Sequence, residues 1–252
     1  MYHLFEVIFY QPILNLLVFL YNTVSMQDLG VAIILLTVLI KLILWPLSRK
    51  SIKAQKEMQE LQPKIDELKS QYKGKEKQQE MGKALMDLYK EHKVNPFSSC
   101  LPLLLQLPFF IAVYQVFRNG LSEHLDLVYS FIPRPEVINS VFLGFLDLSK
   151  PNIYLAVLAG GAQFWQAKMM MVKKSKNQVV GSDNKEDSMA AIMNKQMLYF
   201  MPALTIFIGI TLPGGLTLYW LVLTLLTVLQ QLLMNKPHHD KKNSVIEGEI
   251  VK

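Results

Sequence analysis

Apolar residues in this chain gather into a few long blocks, and polar residues into the stretches between them. Blocks near 29–47, 99–117, 152–171, 196–212 and 216–234 approach the 20 or so residues that a helix needs to cross about 30 Å of hydrocarbon. The pattern predicts an all-α polytopic membrane protein with five transmembrane helices. Residues 1–28 hold a shorter apolar run, Ile13 to Leu20, broken only by Asn15, with Pro12 before it, Asn22 after it and aromatic residues around both ends. That run is short for a span and predicts an amphipathic helix in the outer interface, with a sixth span as the alternative.

The segment 48–98 changes period. Met58, Leu61, Ile65, Leu68 and Tyr72 recur at spacings of 3 and 4, a narrow apolar stripe on a polar rod. After a break at Gly74, Met81, Leu85, Leu88 and Tyr89 repeat the pattern. Two striped rods joined by a short turn predict an antiparallel helical hairpin whose stripes pack together and whose charges stay open to a partner. The remaining segments read as an outer loop at 118–151, an inner loop at 172–195 containing Gly181, Ser182, Asp183 and Asn184, and a short flexible tail at 235–252.

Charge orients the spans. Of the 26 Lys and Arg residues, 12 lie in 48–98, 6 in 168–195 and 4 in 235–252, whereas Arg118, Arg134 and Lys150 fall on the other side and none precedes Lys41. By the positive-inside rule the N-terminus is outside, the hairpin, inner loop and C-terminus are cytoplasmic, and the odd number of spans agrees. The net charge of +6 is thus mostly topological; a basic inner face also suits anionic lipid or ribosomal RNA, and no DNA partner is expected. The lone Cys100 allows no internal disulfide and reads as an unreactive thiol at the membrane boundary. Adjacent His238 and His239 read as solvated tail residues, so no metal site and no cofactor is expected. With no basic residue in the first 40, no signal peptide is expected either.

One residue breaks the pattern of the spans. Lys41 lies about 10 Å below the inner boundary at 1.5 Å per residue, deeper than its side chain reaches. A lysine near mid-bilayer costs about 2.5–3.5 kcal/mol on insertion scales, so its surroundings must offset that. Thr37, four residues earlier, shares its face, and other spans offer Gln106, Gln163, Gln166, Thr224, Gln230 and Gln231. None offers a carboxylate, since Asp28 and Asp147 sit at outer ends. Lys41 is therefore expected to face a water-filled cavity open to the cytoplasm, suited to a guest carrying negative charge.

The stretches FYQPILNLLVFLYN, GVAIILLTVLIKLILWPLSRKS, LYKEHKVNPFSSCLPLLLQLPFFIAVY and LPGGLTLYWLVLTLLTVLQQ, in this order, resemble the YidC family of membrane protein insertases, which includes mitochondrial and thylakoid relatives. They look like the family's outer interfacial helix, its first conserved span, the end of its cytoplasmic hairpin with the second span, and its last span. The resemblance implies five helices around a hydrophilic groove that opens to the cytoplasm and to lipid and is closed outside. A short hydrophilic tail of a nascent membrane protein would enter that groove while its apolar segment slides into lipid, driven by apolar transfer at about 25 cal/mol per Å². No nucleotide is needed, and no GxxxxGK[ST] loop occurs.

Matched residue by residue, the resemblance implies that Lys41 and Thr37 line the groove, with Gln166 of FWQAKM and with Tyr219 and Trp220 of LYW. The bland alternatives are a boundary glutamine for Gln166 and an outer aromatic belt for Tyr219 and Trp220; Gln106 and Pro108 are expected to shape helix packing. The family usually has arginine where this chain has Lys41, a point charge that can lose its proton. No large outer domain, no lipoprotein-type cysteine and no long basic tail occurs in this sequence. The implied partners are nascent membrane proteins, membrane lipid, the ribosome through the hairpin and short tail, and the general secretion translocon. The implied location is the bacterial plasma membrane. A small transporter or channel with an anion site at Lys41 is the rival reading, though no internal repeat supports it. Protease signatures are absent, so no enzymatic activity is expected.

Overall fold

The computed structural model describes residues 2–72, 77–95, 101–118, 125–170 and 196–234. The expected turn at Gly74, Cys100, the whole inner loop and the whole tail with His238 and His239 lie outside the described residues.

The chain opens with α1 (Tyr2–Phe5), a π-helical turn (Glu6–Tyr10) and α2 (Gln11–Thr23). Proline explains the wide turn. Pro12 has no N–H to give the carbonyl of Ile8 and its ring crowds that carbonyl, so the backbone widens and the Gln11 amide bonds back to Glu6 instead. The same device recurs at Gln196–Phe200, just before Pro202 in α8 (Met201–Gly209). Residues His3–Thr23 together are long and apolar enough to cross a membrane, longer than the apolar run Ile13–Leu20 suggests.

Asp28 caps α3 (Leu29–Ile43), its Oδ1 accepting from the Val31 amide at 3.0 Å. The helix stops four residues short of the expected 29–47. Pro46 cannot bond the carbonyl of Leu42, so the chain bends by 69° at Leu44 and continues as α4 (Trp45–Gln71). α4 packs on α5 (Gln78–Glu91) and also meets α6; of the expected stripe Leu61 and Ile65 are buried, and Met58, Leu68, Met81, Leu85, Leu88 and Tyr89 are half-buried. Lys64 Nζ lies 3.1 Å from His92 Nε2, which places the far end of α5 beside the middle of α4, as in an antiparallel pair.

Three further long helices follow, α6 (Leu101–Arg118), α7 (Ile153–Met170) and α9 (Gly214–Met234). By length and composition two described helical stretches, His3–Thr23 and Gly214–Met234, suffice to cross a membrane, and a third does if the bent pair α3 and α4 counts as one span. The apolar stretches Leu104–Arg118 and Gln196–Gly209 are shorter. α7 and α8 approach closely over small residues: a methyl group on Gly160 would lie 2.4 Å from Ile206 and 3.0 Å from the Pro202 carbonyl, and one on Gly209 would lie 2.9 Å from Ala156. Between them Thr205 Oγ1 donates to Gln163 Oε1.

The described part of the loop 118–151, from residue 125 on, forms a cover over one end of these helices. A two-stranded ribbon, β1 (Val141–Phe142) and β2 (Leu146–Asp147), turns through Leu143 and Gly144 at φ +52° and +80°, the signs of a type I′ turn. Asp28 ties it down, its Oδ2 accepting from the Leu143 amide at 2.7 Å while Phe142 sits on Gly30. The start of α9 is held there too, with the Gly214 and Gly215 amides donating to the carbonyls of Lys150 and Leu148 at 2.9 Å each. These bonds satisfy N–H groups that a helix start leaves without intrahelical partners. Asp147 accepts from Ser149 Oγ at 2.6 Å and pairs with Lys150 at 3.0 Å, so its carboxyl is held well below the usual carboxylate range, first by the serine and then by the lysine.

Candidate functional site

Lys41 lies 12 residues into α3 and Thr227 13 residues into α9, both about 18–20 Å from the covered ends of parallel helices at 1.5 Å per residue. The equal depth lets them meet: Lys41 Nζ donates to Thr227 Oγ1 at 2.9 Å. Only 7% of Lys41 is exposed, and among the described residues its ammonium has no carboxylate partner. A single neutral hydroxyl offsets little of the desolvation of a charge.

The other site residues fall in three places. Thr37 is fully buried below Lys41, but its hydroxyl donates to its own helix at the Ile33 carbonyl, 2.6 Å away, rather than serving the lysine. Tyr219 is also fully buried and accepts from Gln106 Nε2 on α6, while Trp220 meets Phe110 of the same helix edge-on, with ring centroids 5.5 Å apart. Gln106 thus joins the site residues through Tyr219. Gln166 is half-buried on α7, 13 residues from that helix's start and so at the depth of Lys41 and Thr227, but no described hydrogen bond joins it to them. Pro108 lies inside α6, which continues past it to Arg118.

Sequence reasoning missed Thr227, choosing Thr224, whose hydroxyl donates instead to the Trp220 carbonyl at 2.9 Å. The signal was present: Thr217, Thr224, Thr227 and Gln231 recur at spacings of 7, 3 and 4, a polar stripe along one side of α9. The stripe ends at two buried glutamines. Gln230 Nε2 reaches the Trp45 carbonyl at 3.5 Å, and the Oε1 atoms of Gln230 and Gln231 are buried with no hydrogen bond from the described residues. Gln231, one turn from Thr227, lines a small cavity with Gln55, Lys56 and Gln59 of α4 and Met169 and Met170 of α7. α4 is fixed over that cavity by Gln59, whose side-chain amide donates to the Met170 carbonyl. Lys41 itself is not among the cavity's lining residues.

Helices carrying a buried cation, covered at one end and polar at the other, two or three of them long and apolar enough to cross a membrane, define a helical membrane protein. The family model described as 60Kd inner membrane protein matches residues 19–242. A membrane protein insertase YidC from Fusobacterium nucleatum subsp. nucleatum is 37% identical over 231 residues, covering 90% of this chain and 97% of that protein. The insertase YidC 1 of Listeria monocytogenes is 37% identical over 84% of this chain and 66% of its own length, and the insertase YidC of Syntrophus aciditrophicus 35% identical over 89% and 36%. The chain belongs to the YidC family of membrane protein insertases.

Proposed function

We propose that this protein inserts membrane proteins by admitting their short hydrophilic tails to a polar groove in the inner half of the bilayer and releasing their apolar segments sideways into lipid. Five spans, α3, α6, α7, the 196–212 segment and α9, would surround the groove, with the N-terminus outside and the C-terminus in the cytoplasm. The observation that carries the reading is the buried Lys41 ammonium held by the single hydroxyl of Thr227. A charge so poorly compensated is costly to the fold, and intramembrane charges of that kind mark transport pathways. An acidic tail would supply the missing counter-charge.

Three further features support the path. Gln166 lies at the depth of Lys41, and the small polar cavity at Gln231 lies one turn from Thr227, on the side away from the cover. The outer cover held by Asp28, Gly214 and Gly215 blocks the opposite end. Gln11 and Asn15 both donate to the Leu127 carbonyl and Asn22 donates to the Pro133 carbonyl, so α2 is tied along its length to the outer loop. That supports an interfacial position for α2, since a helix crossing the bilayer would take those donors far from the loop. Tail binding and apolar transfer provide the drive, so the cycle runs without nucleotide. Ribosome contact would rest on the cytoplasmic hairpin and the short tail, and the general secretion translocon would be a further partner.

Depletion of the protein, followed by an insertion assay on a single-span guest with an acidic N-terminal tail, tests the proposal. Insertion should fall, and a photo-crosslinker at position 41 should capture the stalled nascent chain. Unchanged insertion with no crosslink would favour a small transporter using Lys41 as an anion site.

A further inference from the structure

The bend at Leu44 has a second product. Because α4 leaves the axis of α3 by 69°, its first turns run along the inner ends of the helices instead of continuing outward. Trp45, Pro46, Arg49, Lys50 and Lys53 recur at i, i+1, i+4, i+5 and i+8, one face of α4, and with Met234 at the last turn of α9 they line a cavity of about 490 Å³. That volume lies within the range of small-molecule sites. Its wall is mainly carbon, from Trp45, Pro46, Met234 and the stems of the basic side chains. Its rim is cationic. Arg49, Lys50 and Lys53 are exposed, and among the described residues only Lys53 of the three has a carboxylate within reach, Glu57 at 3.8 Å in a solvated pair.

We infer that this cavity is a binding site for one anionic phospholipid of the inner leaflet, its phosphate on Arg49, Lys50 and Lys53 and its glycerol and upper acyl carbons against Trp45, Pro46 and Met234. The depth selects lipid over other anions. Lys41 marks the buried part of α3 only four residues before Trp45, and Met234 ends α9, so the apolar wall would stand at the hydrocarbon boundary, and the basic rim follows it one to two turns along α4. Aromatic rings settle at that level, and each Lys or Arg near an anionic leaflet adds attraction. An RNA phosphate could meet the rim but has nothing to place against the carbon wall. The site would anchor the bend without taking part in guest binding, and it stands whether or not the groove accepts guests.

Fluorescence quenching tests the site in full-length protein carrying Trp165→Phe and Trp220→Phe, in lipid nanodiscs, with Trp45 as the sole emitter. Acyl-brominated phosphatidylglycerol should reach half-maximal quenching at a mole fraction about tenfold below acyl-brominated phosphatidylcholine. The two lipids should coincide in the Arg49→Gln/Lys50→Gln/Lys53→Gln variant, and the preference should persist in Arg49→Lys/Lys50→Arg/Lys53→Arg, which keeps the charges. Equal quenching in the starting protein, or a preference that survives the glutamine variant, would overturn the proposal. Loss of the preference on adding millimolar inorganic phosphate would make the ligand a free anion, and loss on adding ribosomes would make it RNA; either result overturns the lipid assignment.

Discussion

Lys41 and Thr227 meet at 2.9 Å across two helices that enter the membrane domain from the same covered end. The threonine does not depend on the lysine, because its hydroxyl hydrogen already goes to the Leu223 carbonyl at 2.8 Å. The dependence runs the other way, with the ammonium relying on the threonine oxygen. Stability and function therefore separate at this pair.

Lys41→Leu removes a buried charge without stranding the Thr227 donor, so thermal unfolding in detergent should occur at the same temperature or higher. Insertion should nevertheless fail, most for guests with acidic tails, while Lys41→Arg keeps activity. A leucine variant equally active on every guest would remove the electrostatic role. Thr227→Val should do the reverse, costing about 1–3 kcal/mol by leaving the ammonium without its acceptor.

Two neighbouring glycines provide an internal control for the α7 and α8 interface. A side chain on Gly160 would collide with Ile206 and with the rigid Pro202 carbonyl, whereas one on Gly161 meets nothing within 4 Å. Gly160→Ala should destabilise by about 1–3 kcal/mol as the helices part. Gly161→Ala should be neutral or stabilising by about 0.5–1 kcal/mol. Unfolding curves of both variants in the same detergent check the contrast; equal effects would mean that the close approach does not hold the pair together.

Local chemistry was legible where a residue acts on its own neighbours. Asp28 before Leu29 marks a helix start, and the stripe through Leu61 and Ile65 marks a packed hairpin face. Lys41 announced itself by cost alone. What remained hidden depends on partners far along the chain: Thr227 is 186 residues from Lys41, and choosing it over Thr224 requires the relative rotation and depth of two helices. The stop at Ile43 was written in Pro46, but hydropathy averages over it, because Trp45 and Leu47 keep the run apolar. Asp28's second bond, to the Leu143 amide, needs a tight turn at Leu143 and Gly144 that nothing near Asp28 reports.

The hairpin of α4 and α5 should be dispensable for assembly and essential for function. α4 packs on α5 with Leu61 and Ile65 buried, and its contacts with the long helices are few, a short one with α6 and the Gln59 bond to the Met170 carbonyl of α7. Deleting residues 53–92 should abolish insertion of an acidic-tailed guest while protease mapping still finds the remaining helices protected. Loss of protection would make the hairpin a structural element instead.

The cover formed by residues 125–151 should loosen in acid, with a sign fixed by Asp147. Its carboxyl is depressed in the folded protein by Ser149 and Lys150, so the stabilisation it provides is fully present above the ordinary carboxylate value of about 3.9. It is lost progressively as pH falls from that value toward the depressed one. The side chain is partly solvated, which keeps the effect modest. The adjacent Leu148 amide, which donates to the Ser140 carbonyl at 2.9 Å, reports on the cover. Its hydrogen-exchange protection, corrected for the intrinsic pH dependence of exchange, should hold from neutral pH to about 5 and drop below 4. In Asp147→Asn the protection should be lower at neutral pH and should no longer fall with acid. An unchanged pH profile in that variant would assign the acid response to another group.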